Sequence, residues 1–522
     1  MRVRRHKKRN LNNHTTMRLF KSLLLFIALA MGTCSCEDNE PTVNKHPSGV
    51  PSIEIEPNAS PSTLWMPVFL SDGMVVQQKS VATLWGKVNP GAKVLGYGSW
   101  DNKGVTTTAD SDGRWLLDIP TPAGSKDSYT ITIRDSHGGA KVIRDVLVGE
   151  VWHFAGQSNM EMPMRGFGSV ATGNYQPVAD ADKEIAATAA MSHLRYFKVG
   201  YQPSDVLMDD VRSNKWWKAS IASEAKEFSA IAFFCGRKMA SELKVPVGII
   251  CTPYGGTRIE AWMPAERLNT FAKDDYKDKS ELTGTAIEKS SPGVLYNGMV
   301  YPIQNYTIRG WAWYQGESNR DNSFAYARLQ QAMVDEWRKA KGDTKAEIPF
   351  YYVQISGTGK NTDTYGADLI QAQWDALKLI PNSGIVTSSD CGDQIQGIHY
   401  PNKKTPGERL GNLILHDIYS RTDLKVAPPM VESVKYEGGK ATVSFSNGEG
   451  LHATGSTIPY VQLVDAAGNL HTATATIVNG KMEVSSASVA EAKGVRYCYM
   501  SWHLSTVFNE AGIPLAPFKH SK

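Results

Sequence analysis

Four short segments concentrate residue types that can do chemistry. In VGEVWHFAGQSNMEMPM an apolar run ends in Gly156, Gln157, Ser158 and Asn159, which puts a serine hydroxyl on a tight turn where a strand stops. A serine attacks well only when a base takes its proton and donors receive the anion that forms. The sharp G-x-S-x-G nucleophile turn is absent, because Met160 stands at its last position. A turn serine without chemistry is the plain alternative. The base can be sought among twelve histidines. His6, His14 and His46 lie in the leader and tether, and His137, His452, His471, His503 and His520 lie in β-rich flanks. His153 is inside a strand, His193 in an apolar-flanked stretch and His416 in a helical pattern, which leaves His399 in the turn-rich DCGDQIQGIHYPNKK. A solvated loop histidine is the alternative there. TPYGGTRIEAW offers Gly255 and Gly256, whose missing side chains let a backbone N–H approach a reacting oxygen. GWAWYQGESNR places Gln315, Glu317, Ser318 and Asn319 just past a strand, where an amide could donate to an oxyanion or Asn319 could merely cap a helix. Trp262, Trp313 and Tyr254 could stack on a ring or belong to the core, and Arg258 could pair with a bound carboxylate or with Glu260.

Such groups meet only if the chain brings several strand ends to one edge. From about 149 to 425 the strand-like runs VGEVWHFAG, VPVGIICTP, IRGWAWYQ, PFYYVQISG and SGIVTSSD alternate with helical patterns. One of these, SFAYARLQQAMVDEWRKAK, sets Tyr326, Leu329, Met333 and Trp337 on one face. Alternation of this kind predicts an α/β fold with a parallel sheet covered on both faces. Residues 63–148 read instead as short β runs split by NPG, DNKG, DSDG and SHGG turns, an N-terminal β-sandwich. Beyond VAPPM, residues 426–522 return to β runs and predict a C-terminal β domain.

The chain has 522 residues, of which 41% are hydrophobic and 21% charged, so cores are affordable and a disordered or fibrous protein is excluded. Its formal charge of +4 is misleading, because eight cations and no acid fall within the first 36 residues. Without them 48 basic residues face 52 acidic ones, and the body is slightly acidic. The cations precede an apolar run, Leu23 to Gly32, that suits a signal peptide and is too short to span a bilayer. The following MGTCSCEDNE resembles a lipoprotein signal, so 1–36 is expected to be removed at a lipidated Cys34 or Cys36 and 37–62 to be a tether. The expectation is an exported protein, periplasmic or on the outer membrane or cell surface, touching the membrane only through its anchor. No further Cys or His stands at ligand spacing from that cysteine pair, and neither a metal nor another cofactor is expected. The absence of a basic patch with interleaved aromatics argues against a nucleic-acid partner. Nothing in the sequence sets an oligomeric state.

Taken together, GQSNM, GGTRIEAW, WYQGESN and IHYPNK, with FLSDGMVVQQ and LWGKVNPGAKV before them and VRYCYM and FNEAGIPLAPFK after, resemble the sialate O-acetylesterase family of SGNH-type carbohydrate esterases. The resemblance runs from about 63 to 518. It implies a flavodoxin-like SGNH hydrolase domain that removes O-acetyl groups from a sugar or glycan. Ser158 would be the nucleophile and His399 the base. The Ser158 and Gly256 N–H groups, with the amide of Gln315 ahead of Asn319, would hold the oxyanion; Arg258, Trp262 and Trp313 remain, on their residue types alone, the substrate-binding candidates. Sialic acids are the first substrate, acetylated xylan or xyloglucan the second. A carbohydrate-binding surface lipoprotein without activity is the alternative from another class. That alternative rests on one departure: members carry an Asp three residues before the histidine, and Gln396 stands there. A glutamine can accept the imidazole N–H but does not stabilise an imidazolium as a carboxylate does. Asp393 is then the first carboxylate to consider, and Asp390 the second.

Overall fold

The strand Ala140–Gly156 organises the fold. Its outer half pairs antiparallel with Ser125–Asp135, and its inner half pairs in parallel with Val247–Pro253 on one side and Gly310–Tyr314 on the other. Every residue from Val146 to Gly156 is buried, which is why this segment reads as an unbroken apolar run rather than an alternating one. A computed structural model of the chain describes residues 49–169, 171, 175–213, 215–357, 363–392 and 397–522. Among the described residues, no helix is long and apolar enough to cross a membrane.

Across the central sheet the strands run Ser383–Val386, Phe350–Val353, Gly310–Tyr314, Ala140–Gly156, Val247–Pro253 and Leu194–Lys198, all parallel, with the two-residue Trp217–Lys218 antiparallel at the edge. Setting aside the Leu194–Lys198 edge, the remaining five read 2-1-3-4-5 in chain order. The connections therefore diverge at the first strand, and the crevice beyond its carboxyl end is where such sheets bind ligands. Register keeps the ends level, since Gly156 lies opposite both Pro253 and Tyr314. Two helix pairs pack on this sheet, Ala230–Leu243 against Lys404–Tyr419 and Ser323–Ala340 against Tyr365–Leu379. The Ser323–Ala340 helix buries Tyr326, Leu329, Met333 and Trp337, the face its periodicity marks.

The structure differs from the sequence reading at two boundaries and one strand. A domain break between 148 and 149 falls inside the continuous strand Ala140–Gly156, and buried residues of the N-terminal β region and of the central sheet form one core. The tether does not extend to 62. Glu56 already donates its N–H to Ser136 O at 2.9 Å, and Ser62 Oγ donates to Asp135 at 2.6 Å, so this stretch is fastened to the β layer. The strand Leu194–Lys198 carries no clear β signal because its Arg195 is a buried cation, held by Asp145 at 3.0 Å. The C-terminal residues form two four-stranded sheets around a second, separate core.

Gly156 shows how tightly the strand end is built. Its φ is +147°, and a Cβ would meet the Tyr314 carbonyl oxygen at 2.1 Å. Neither the backbone conformation nor the neighbouring strand leaves room for a side chain. Gly156→Ala should lower the unfolding free energy by about 3 kcal/mol, measured by urea unfolding, because the clash is with a backbone rather than a movable side chain.

Candidate active site

Ser158 opens the short helix Ser158–Glu161 directly after the strand and is half-buried. The turn is stitched to both neighbouring strand ends. Gln157 donates its N–H to Tyr314 O at 3.0 Å, and its side-chain oxygen accepts from the N–H groups of Gly316 and Ser318 at 3.3 and 3.2 Å. On the other side Tyr254 N–H donates to Gly156 O at 2.9 Å. Gly255 lies against the serine, where a Cβ would come within 3.3 Å of Ser158 Cβ. Its N–H donates to Glu161 Oε2 at 2.7 Å, while its carbonyl accepts from Lys289 Nζ at 2.9 Å. Gly256 follows at φ +71°. Among the described residues, no acceptor takes the N–H of Ser158 or of Gly256. Burial pushes the Glu161 carboxyl up, against the pull of Lys198 and the Gly255 N–H.

His399 is joined to this turn through Asn159. Asn159 Nδ2 donates to Glu317 Oε1 at 2.5 Å and to the carbonyl of Ile398, the residue before His399, at 3.1 Å. Asn159 Oδ1 accepts from Lys403 Nζ at 2.6 Å. Three of the four motifs thus meet at one buried amide. Lys403 also lies 3.5 Å from the centroid of the Tyr400 ring. Burial pulls Lys403 down to about 7 despite Glu317, and burial raises Glu317. His399 Nε2 is a buried nitrogen without a partner among the described residues, whereas Nδ1 lies 2.7 Å from Gln176 Oε1. Burial, with Lys403 nearby, lowers His399 to about 4, so the ring is neutral at neutral pH.

Other expected site residues have different places. Gln315 is wholly buried and its Nε2 donates to Thr257 O at 3.0 Å and Asn319 Oδ1 at 2.8 Å, so both amide hydrogens are used inside the protein rather than aimed at an oxyanion. Asn319 is equally buried, donating to Glu260 at 2.8 Å and accepting from Ile259 N–H at 3.0 Å. These two amides brace the glycine turn from behind. Trp262 and Trp313 are core residues, packed edge to face at 5.6 Å with no exposed surface, so neither can stack on a sugar. The open aromatic surface beside the serine is Tyr254, stacked at 4.1 Å on the exposed Tyr201. Arg258 takes the local alternative, bound by Asp321 at 2.8 Å and Glu260 at 3.3 Å, with Nη2 buried and without a partner among the described residues. Asp390 is held by both terminal nitrogens of Arg409 at 2.7 and 2.8 Å and is not the partner of His399. Asp393, Gln396, Cys34 and Cys36 lie outside the described residues. Sequence reasoning overlooked Asn159, Lys403 and Gln176. The first two stand inside quoted motifs; Gln176 lies 223 positions from His399 and carries no local signal.

Comparison with known proteins makes the chain a carbohydrate esterase. A family model described as a carbohydrate esterase, sialic acid-specific acetylesterase, matches residues 148–418, just over half of the chain, and the chain belongs to that family. The sialate O-acetylesterase of Mus musculus is 28% identical over 395 residues, covering 66% of this chain and 71% of the mouse protein. That of Homo sapiens is 27% identical over 413 residues, covering 72% and 75%. A crystal structure of a carbohydrate acetylesterase from Xanthomonas citri superposes with a TM-score of 0.76 at 29% identity, over 88% of this chain and 99% of that one.

The buried tryptophans give a direct check on the reassignment. Trp262→Ala should cost about 4 kcal/mol of stability, read by urea unfolding, because it empties a packed core site. The folded fraction should keep KM within about twofold, since no substrate contact is lost.

Proposed function

We propose that this carbohydrate O-acetylesterase cleaves acetyl esters of sialic acids through an acetyl-Ser158 intermediate, on an SGNH-type domain with flavodoxin-like strand order flanked by β regions. The observation that carries the reading is the Asn159 clamp, which ties the turn of Ser158 to the loop of His399. Ser158 Oγ attacks the acetyl carbonyl while His399 Nε2 takes the hydroxyl proton. The Ser158 and Gly256 N–H groups, which lack protein acceptors among the described residues, receive the tetrahedral oxyanion. Nε2 returns the proton to the departing sugar oxygen. Water then attacks acetyl-Ser158, giving its proton to Nε2, which passes it to Ser158 Oγ as acetate leaves. A neutral His399 suits the first step. The sugar ring would rest on Tyr254 and Tyr201. The sialate assignment is supported by the mammalian relatives that carry that name.

Ser158→Ala should lower kcat for acetate release by more than about 10³-fold with the fold intact by circular dichroism. On a panel of O-acetylated sialosides, xylan and xyloglucan, the sialosides should give the highest kcat/KM. Faster release from the plant polysaccharides would move the enzyme to them, and a wild type no faster than Ser158→Ala would make it a binding protein.

We also propose that the chain is exported and anchored through a lipidated Cys34 or Cys36, a reading supported by the cations, apolar run and small residues ahead of them. Mass spectrometry of the mature N-terminus should find a lipidated cysteine; an unmodified N-terminus beyond residue 36 would refute the anchor.

A further inference from the structure

Gln396 stands where family members carry the carboxylate that orients the base, and Asp390 is committed to Arg409. The structure supplies another group. We infer that Gln176, paired with Phe167 in an isolated antiparallel bridge after the serine turn, is the positioning residue for His399, setting the tautomer and direction of the ring. This rests on the reading of His399 as the base.

The geometry carries it in three steps. Gln176 Oε1 lies 2.7 Å from His399 Nδ1, and an amide oxygen can only accept, so Nδ1 holds the ring proton. The lone pair of the neutral ring is then on Nε2, the nitrogen that has no partner among the described residues and is free to take the serine proton. The Gln176 backbone is fixed as well. It exchanges hydrogen bonds with Phe167, Phe167 N–H to Gln176 O at 2.9 Å and Gln176 N–H to Phe167 O at 2.8 Å. Phe167 itself meets the His399 ring edge to face at 5.1 Å, so one bridge both packs and hydrogen-bonds the imidazole. Gly166 at φ +79° lets the chain turn into this bridge, since a Cβ there would meet Gln176 O at 2.2 Å. Anchors hold both sides of it: Arg165 N–H donates to Lys226 O at 3.0 Å, and Ala179 N–H donates to Pro401 O, two residues past the histidine, at 3.0 Å.

A neutral acceptor has a chemical consequence. Burial, with Lys403 nearby, keeps His399 unprotonated even in mild acid, and a neutral acceptor, which fixes the ring without stabilising the imidazolium, does not offset them. The charged group acting on the ring is Lys403 from its own segment; Phe167 and Gln176, which meet it from another element, are uncharged, and Glu317 is separated by Asn159. In the wild type the acidic limb of kcat/KM should therefore fall near pH 4, below the ordinary histidine value.

The test is the pH profile of acetate release for wild type, Gln176→Glu and Gln176→Ala, with each variant's melting temperature recorded. Gln176→Glu places a carboxylate on Nδ1, which favours the charged ring, so the acidic limb should move to higher pH by about one unit or more. Gln176→Ala should lose about 10- to 100-fold in kcat with KM nearly unchanged, because ring orientation rather than substrate binding is removed. A purely structural glutamine would lower the melting temperature and leave the limb of Gln176→Glu where the wild type has it; that result would overturn the inference. So would a limb that moves with Asp393→Asn or Gln396→Glu but not with Gln176→Glu. Ser158→Ala, assayed alongside, reports on the esterase reading independently: if it stays active, that reading has failed rather than the role of Gln176.

Discussion

A single buried amide, Asn159, holds the site together, and its demands explain much of what surrounds it. It hydrogen-bonds one oxygen of the Glu317 carboxyl, a backbone carbonyl and the Lys403 amine at once, with distances between 2.5 and 3.1 Å. Without a neutral mediator, Glu317 and Lys403 would be two buried ions lacking full hydrogen bonding, an arrangement whose desolvation cost exceeds most of its Coulomb gain. The amide gives each a charge-assisted hydrogen bond instead. Because the partners come from three different segments, a network meant to satisfy polar atoms also fixes how far apart a hydroxyl and an imidazole stand.

The parallel sheet makes this convergence possible. Its strands end level, so the loops after Gly156, Pro253 and Tyr314 start from one edge, and each glycine there solves a crowding problem. At Gly156 the neighbour is a backbone carbonyl; at Gly316, φ +156°, it is Leu369 and Ile355. Chemistry is placed where the backbone is most constrained, which is how a few loop residues can be held to the tolerance that proton transfer needs.

Much of this was legible in the sequence, for identifiable reasons. The strands and helices around the site were readable because apolar runs bounded by turns, and a face such as Tyr326, Leu329, Met333 and Trp337, report burial directly. Ser158 and His399 could be nominated because a hydroxyl or imidazole after a strand end is conspicuous. What could not be read was allocation among similar groups. Gln315 and Asn319 have the right chemistry for donors, but only coordinates reveal that Thr257 and Glu260 have already claimed them. Trp262 and Trp313 were ambiguous for the same reason, since an aromatic ring fills a core as readily as it lines a cleft. The Gln176 contact is invisible for another: it depends on a fold bringing together positions 223 apart.

The strand Ala140–Gly156 begins among the N-terminal β residues and ends at the turn of Ser158 as one segment, bent at Asp145, where φ is +55°. The two regions therefore cannot be treated as beads on a string. Recombination that exchanged the front β layer would have to splice within the strand that ends at the turn of Ser158. A force applied near Glu56 or Ser62, which are hydrogen-bonded to the β layer, would also enter through that layer and run along the same strand, reaching the turn without an intervening linker to absorb it.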